Sequence, residues 1–422
     1  MLLMFKVKNY TSFHQEAILD MRATAYVQHP SHVIQINNKL GLLKTTALYG
    51  ANASGKSNLI SAMYFFEQYI FSQFINKKER TDLISKETVM KLEPFVLSDN
   101  IQNASEFDII FLHNGRQIQY GFACTPKEVQ SEWYYIDDKK VFERTKTTLS
   151  LGNSYQKLLG AYQKLPAERL YLSVLEYFLD QEAKKLILDD FISFFHEKYN
   201  VFTEILFEST VKGLANTIGL SKKLVNNQEF RSKVEHYLRL VDVGIKRLDI
   251  QTETILNEHT GIKTEEKIIR TVHEIYDKNG TVTGEKLFDL HQESSGTLRF
   301  LAYIQNVIEM ISKGGVFIVD EMSARLHPLL TKLIVDIFCS SQNQKAQLIF
   351  TTHDISLLNN HQFRRDEIVF IDKNERGESS LYALSDLKVR EDATFHKDYL
   401  QGKYGAIPIF EYDEVMDGES NG

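Results

Sequence analysis

Residues 50–57 read GANASGKS: a glycine, four further residues, a second glycine, a lysine and a serine. An apolar stretch, Thr45-Thr46-Ala47-Leu48-Tyr49, runs into this segment, and Asn58-Leu59-Ile60-Ser61-Ala62-Met63 leads out of it with helical character. Strand, glycine-rich loop, helix: that order restricts the possible fold more than anything else in the chain. Gly50 and Gly55 let the backbone curl until successive N–H groups face one anion, and the helix adds the positive end of its dipole. The pattern predicts a phosphate-binding loop in which Lys56 reaches the β- and γ-phosphates of a nucleotide and the Ser57 hydroxyl holds Mg²⁺. Asn52, Ala53, Ser54 and Asn58 belong to the same turn and are assigned to nucleotide binding with it.

Composition bounds what surrounds the loop. The chain has 422 residues, longer than one ordinary domain, yet it carries a single such loop and no tandem repeat, so one nucleotide-binding core with an inserted or appended region is expected. Hydrophobic residues at 43% and charged residues at 25% fit a soluble globular protein with a sizeable core. No apolar run reaches membrane-span length, and the opening Met1-Leu2-Leu3-Met4-Phe5-Lys6 lacks a signal-peptide layout, so a cytoplasmic protein without a membrane partner is expected. Cys124 and Cys339 stand far apart with no partner at metal-ligand spacing and read as reduced core residues. A net charge of −7 argues against coating nucleic acid by charge alone and leaves a local basic groove open.

Along the chain, residues 3–13 alternate apolar and polar, and a second short strand follows at 16–19. The helix after Ser57 continues through Met63, Phe65, Phe66, Tyr69, Ile70 and Phe74, a spacing that buries one face as core. From 106 to 144 the pattern is hairpin-like. Residues 107–112 turn at His113-Asn114-Gly115 into 117–122, and 132–136 turn at Asp137-Asp138 into Val141-Phe142. Between 155 and 240 lie helical stretches such as 169–188 and 189–199, with irregular apolar spacing and no lasting heptad, which predict a compact helical insertion rather than a coiled-coil arm. Lys184-Lys185 and Lys222-Lys223 read as solvated helix faces. Strands resume at 267–276, turn at Lys278-Asn279-Gly280 and return through 282–290. The expected organisation is α/β: a first core segment with the loop and an antiparallel β-subdomain at 1–154, a helical insertion at 155–240 and a second core segment at 241–422.

Three further constellations carry chemistry. Val316-Phe317-Ile318-Val319 is a short buried strand ending in Asp320 and Glu321, where the first acid holds Mg²⁺ and the second activates or orients the attacking water. A second apolar strand, 347–352, ends at His353, whose imidazole can hydrogen-bond a γ-phosphate. Gln292-Glu293-Ser294-Ser295-Gly296-Thr297 opens a predicted helix at 298–311, a second anion site built from the Ser294 hydroxyl and backbone amides.

With these parts in this order, the chain resembles the ABC-type ATPases of the SMC, RecF and Rad50 kind. The resemblance implies an ABC-type P-loop ATPase core using ATP and Mg²⁺, with the signature at Ser294-Ser295-Gly296, the magnesium acid at Asp320, the catalytic base at Glu321, the switch histidine at His353 and a dimer-facing loop at 323–328, SARLHP. It covers both ends of the chain and leaves about 155–240 unmatched. It also implies a homodimer or higher oligomer with ATP at the subunit interface, because in that superfamily the signature of one subunit completes the site of another.

Within the superfamily, the LHP after the acidic pair, the signature SSGT and the late Lys403-Tyr404-Gly405-Ala406-Ile407-Pro408 are similar to AAA-type ATP-binding proteins of bacterial phage-defence operons. These are the AbiL-like ATPases encoded beside an RloB-type protein, with the ATPase of the PARIS system a near alternative. That likeness implies a sensor or scaffold that controls a toxic RloB-like or TOPRIM-like effector. Few residues follow His353, no nuclease domain is expected there, and the partner would bring the effector chemistry. Two departures imply slow hydrolysis: Ser295 stands where many relatives carry glycine, and the best candidate for the glutamine loop, LEPFVL at 92–97, has no glutamine. The competing reading is a RecF-like repair or replication ATPase that clamps DNA. A nuclease built on His196, Glu197 and His236 lacks any recommending spacing.

Overall fold

The computed structural model describes residues 1–74, 91–98, 103–203, 222–242, 244–256, 263–390 and 393–407. Its organising layer is a six-stranded sheet. In chain order the strands are β1 (Thr45–Tyr49), β2 (Tyr199–Phe202), β3 (Gly315–Val319), β4 (Ala346–Thr351), β5 (Ile368–Lys373) and β6 (Ser379–Ala383). Across the sheet they run β2-β3-β4-β1-β5-β6, with β6 antiparallel and the other neighbours parallel. Every residue of β1, β3 and β4 is buried, as parallel strands covered on both faces must be.

The period of two along these strands sorts their side chains between two cores. Leu48, Val316, Ile318, Ile349 and Val369 face helix α1 (Lys56–Ser72). Ala47, Tyr49, Phe317, Val319, Leu348 and Phe350 face helices α2 (Ser295–Lys313) and α3 (Pro328–Cys339). On its outer side α1 is covered by a seven-stranded antiparallel sheet, whose middle strands are Val129–Ile136, Arg116–Cys124, Ser105–His113 and Leu2–Lys8. Phe66 of α1 meets Phe5, Phe107 and Phe122 of that sheet at ring-centroid distances of 5.9, 6.5 and 5.5 Å. Both expected hairpins form. Their two-residue turns hold Asn114 at φ 49, Gly115 at φ 78, Asp137 at φ 50 and Asp138 at φ 58, the left-handed pairs that match strand twist.

The stretch expected as a helical insertion is helical at Tyr171–Phe178, Gln181–Ile187, Asp189–Lys198 and Gln228–Val241. It departs from the expectation at two points. The helix read as continuous over 169–188 breaks at Asp180, whose carboxylate accepts from the Ala183 N–H at 2.8 Å and caps a new helix. Tyr199–Phe202 is the edge strand β2, paired in parallel with β3, because its alternation is too short to stand out from the aromatic helix before it. That preceding helix buries Phe191, Phe194 and Phe195 beneath the antiparallel sheet, with Phe194 stacked on Phe111 at 3.9 Å. A three-stranded antiparallel sheet, Ile245–Leu256, Lys263–Tyr276 and Val282–Asp289, leads into α2. Both cysteines are buried and unpaired. Among the described residues, no helix is long and apolar enough to cross a membrane.

Candidate functional site

The C-terminal ends of β1, β3, β4 and β5 share one edge of the central sheet, where a parallel α/β sheet opens its binding crevice. A cleft of about 450 Å³ lies there, lined by Asn52, Ala53, Ser54, Gly55, Lys56, Ser57, Asn58, Glu321, His353 and Lys373.

Its floor is the loop between β1 and α1. Gly55 sits at φ 114, and a Cβ there would stand 2.4 Å from the Ser379 hydroxyl, so no other residue fits. A Cβ at Gly50 would stand 2.3 Å from the Ile371 carbonyl oxygen, so the loop packs directly on the β5 backbone. Asn58 Nδ2 donates to Ser12 Oγ at 2.7 Å, and the Ser379 hydroxyl lies 2.6 Å from the Ser54 carbonyl oxygen. These contacts hold the loop from outside. The Lys56 ammonium folds back on the loop and donates to the Gly50 and Ala51 carbonyls, each at 2.8 Å. Burial pulls its pKa down to about 8, against the opposing pull of Asp320 and Glu321.

The acidic pair reaches the loop from β3. Ser57 Oγ donates to Asp320 Oδ1 at 3.1 Å, and Thr351 Oγ1 at the end of β4 donates to the same oxygen at 2.7 Å. The Thr351 hydroxyl also accepts from the Glu321 N–H at 2.6 Å, so one side chain holds the Asp320 carboxylate and the Glu321 backbone. Glu321 takes φ 50, which turns the chain sharply as it leaves β3, and its carbonyl accepts from the buried Arg299 guanidinium of α2 at 3.2 Å. Adjacent oxygens around an octahedral Mg²⁺ with bonds of about 2.1 Å stand about 3 Å apart, so the Ser57 and Asp320 oxygens fit such an ion. His353 lies at the exposed rim. Partial burial and then the Lys56 charge lower its pKa, with Glu321 and Asp320 acting the other way, so its neutral form is favoured.

The candidates at 294–296 lie elsewhere and do not line the cleft. Ser294 caps α2, its hydroxyl accepting from the Thr297 N–H at 3.0 Å, and Ser294 and Ser295 are exposed. Gly296 abuts the 323–328 loop of its own chain, where a Cβ would stand 3.0 Å from the Arg325 carbonyl oxygen. Glu293, one residue earlier, accepts from Thr271 and lies 2.7 Å from His273 Nε2, so the three-stranded sheet braces this turn. The structure therefore brings together Gly50, Asn52, Ala53, Ser54, Gly55, Lys56, Ser57, Asn58, Asp320, Glu321 and His353, and leaves Ser294, Ser295 and Gly296 out of the cleft lining. The 92–97 segment packs on the opening loop instead of the cleft, with Phe95 stacked on His14 at 4.8 Å.

Sequence reasoning missed Lys373, Thr351, Ser12 and Ser379. The available signal was the apolar run 368–371, a further buried strand whose end had to open on the same edge. One other group invites comparison: His32, Cys339 and Glu367, all buried, at the opposite end of β1. There Glu367 accepts from Thr45 Oγ1 at 2.5 Å and the Arg364 N–H at 2.8 Å, and lies 2.8 Å from His32 Nδ1. That is a satisfied core network.

Residues 45–359 match the profile of the family described as "AAA domain, putative AbiEii toxin, Type IV TA system". No curated protein matches the chain at the level of sequence. Among solved structures, an Smc head bound to the C-winged helix domain of ScpA is similar at 12% identity and TM-score 0.45, covering 90% of this chain and 97% of that one. The SMC head domain from Thermotoga maritima is similar at 13% identity and TM-score 0.40, covering 92% and 99%. An Smc head with an extended coiled coil from Pyrococcus furiosus, bound to the C-terminal domain of ScpA, gives 13% identity and TM-score 0.39, covering 95% and 98%.

Proposed function

We propose that this chain, which belongs to the AAA-domain family matched over residues 45–359, binds ATP with Mg²⁺ in the cleft beside Lys56 and hydrolyses it slowly, as the switching component of an anti-phage defence pair. The observation that carries the reading is the 3.1 Å contact between Ser57 and Asp320, which joins the phosphate loop to the acidic strand end at one point. Ser57 and Asp320 would hold the ion, which withdraws charge from the phosphate oxygens. Lys56 would leave the loop carbonyls for the β- and γ-phosphates. Glu321 would orient the attacking water and take its proton, while His353, favoured neutral, would donate a hydrogen bond to the γ-phosphate. Lys56→Ala should abolish ATP binding. Glu321→Gln should keep binding and slow phosphate release by about a hundredfold or more. Full turnover in both variants would end the assignment.

The exposed Ser294 and Ser295, followed by the half-buried Gly296, suit contact with ATP held by a second copy, so a closed two-fold assembly would form only with nucleotide bound. Binding would close it and hydrolysis release it, a cycle fit to hold and then free a toxic RloB-like or TOPRIM-like effector. Co-purification of the chain with the product of its neighbouring gene, present with ATP and lost in Lys56→Ala, tests that part. A chain that is toxic to its host alone contradicts it.

A further inference from the structure

Lys373 closes β5 and lines the cleft, yet the motif chemistry does not use it. Its backbone is fixed relative to the phosphate loop from two sides. Across the β5–β6 hairpin it pairs with Ser379, whose N–H donates to the Ser12 carbonyl at 2.7 Å and whose hydroxyl lies 2.6 Å from the Ser54 carbonyl oxygen. Two residues upstream, the Ile371 carbonyl packs on Gly50. The ammonium makes no ion pair among the described residues, whereas nearby Glu378 is held by His14 at 2.7 Å and Asn374 at 2.9 Å. The cleft thus presents two lysines, one drawn back onto the loop and one standing at the wall.

Strand order fixes which end of a nucleotide each would meet. Asp320 and Glu321 follow β3 and His353 follows β4, on one side of β1, whereas β5 lies on the other. On the ATP reading above, the acids and the histidine face the γ-phosphate, so a triphosphate lying across the loop turns its nucleoside end toward β5. We propose that Lys373 is a second cationic contact for the nucleotide on its α-phosphate side, setting affinity for ATP and ADP alike. Lys56 and Asp320 serve the β- and γ-phosphates and the ion, and Lys373 serves the α-phosphate side, which both nucleotides carry.

The test is calorimetric titration of the full chain with ATP and with ADP, in Mg²⁺, for the unaltered protein, Lys373→Ala and Lys373→Arg. Lys373 is exposed, and an unchanged thermal midpoint verifies that the variants are folded. Lys373→Ala should weaken ATP and ADP by the same factor, about tenfold as for a charge-assisted contact, and Lys373→Arg should recover most of it. Unchanged affinity for both nucleotides in Lys373→Ala overturns the proposal, as does a loss confined to ATP. Lys56→Ala, titrated in parallel, separates the two readings: if it too binds ATP normally, the cleft is not the nucleotide site and both fall.

Discussion

Lys56 is 6% exposed and its ammonium donates only to loop carbonyls, Gly50 and Ala51, so burial holds its pKa near 8 while Asp320 and Glu321 limit the fall. For a base, a lowered pKa means that the empty cleft sheds the proton as pH climbs through about 8, although a triphosphate needs the charged form. ATP affinity should therefore be full below that pH and fall above it, by up to about tenfold per pH unit, and binding near pH ~8.5 should draw in a proton. Titrations in buffers of different ionisation enthalpy read that uptake directly; a flat affinity profile across this range would contradict it. Stability runs the other way. The unfolded lysine titrates near ~10.4, so between about 8 and ~10.4 the unfolded chain holds more protons and Lys56 adds stability as pH rises. Side chains whose place depends on their own local backbone were legible in the sequence: Lys56 and Ser57 at a helix start, Asp320 and Glu321 at a strand end. Lys373, Ser12 and Ser379 were not, because a hairpin more than three hundred residues from the loop brings two of them there.

At the scale of elements, α1 carries the load between the two sheets. Phe66 is fully buried and touches aromatic rings from the antiparallel sheet and, through Phe195 at 5.9 Å, from the helix before β2. Phe66→Ala leaves a void that neither sheet can collapse into without losing its register, so it should lower unfolding free energy by about 3–5 kcal/mol. A urea midpoint that falls with the slope unchanged verifies this; a midpoint within error of the parent would mean that the layers close over the gap. The apolar face of α1 was readable from its spacing, since one helix face has one period. β2 was not, because four residues of alternation cannot be told from a continuing helix until a neighbour, β3, offers its free edge.

For the molecule as a whole, the decisive fact is that the exposed turn at Ser294 does not line the cleft beside Lys56. No reading of one sequence can say whether the two meet across a subunit boundary, because the boundary is a property of two copies. Complementation can. On the two-fold proposal, Lys56→Ala fails to bind ATP, and Ser294→Arg binds ATP but blocks the surface that closes on its partner, so each alone is inactive. In a mixed dimer, the intact Lys56 of one variant faces the intact Ser294 of the other, restoring one site of two. Random pairing makes half the dimers mixed, so equal amounts of the two inactive chains should regain about a quarter of the parent turnover. A chain that completes its own site gains nothing from mixing, since every cleft then carries one damaged part. Recovery against none, read as phosphate release with each variant alone as control, therefore separates assembly between subunits from assembly within one.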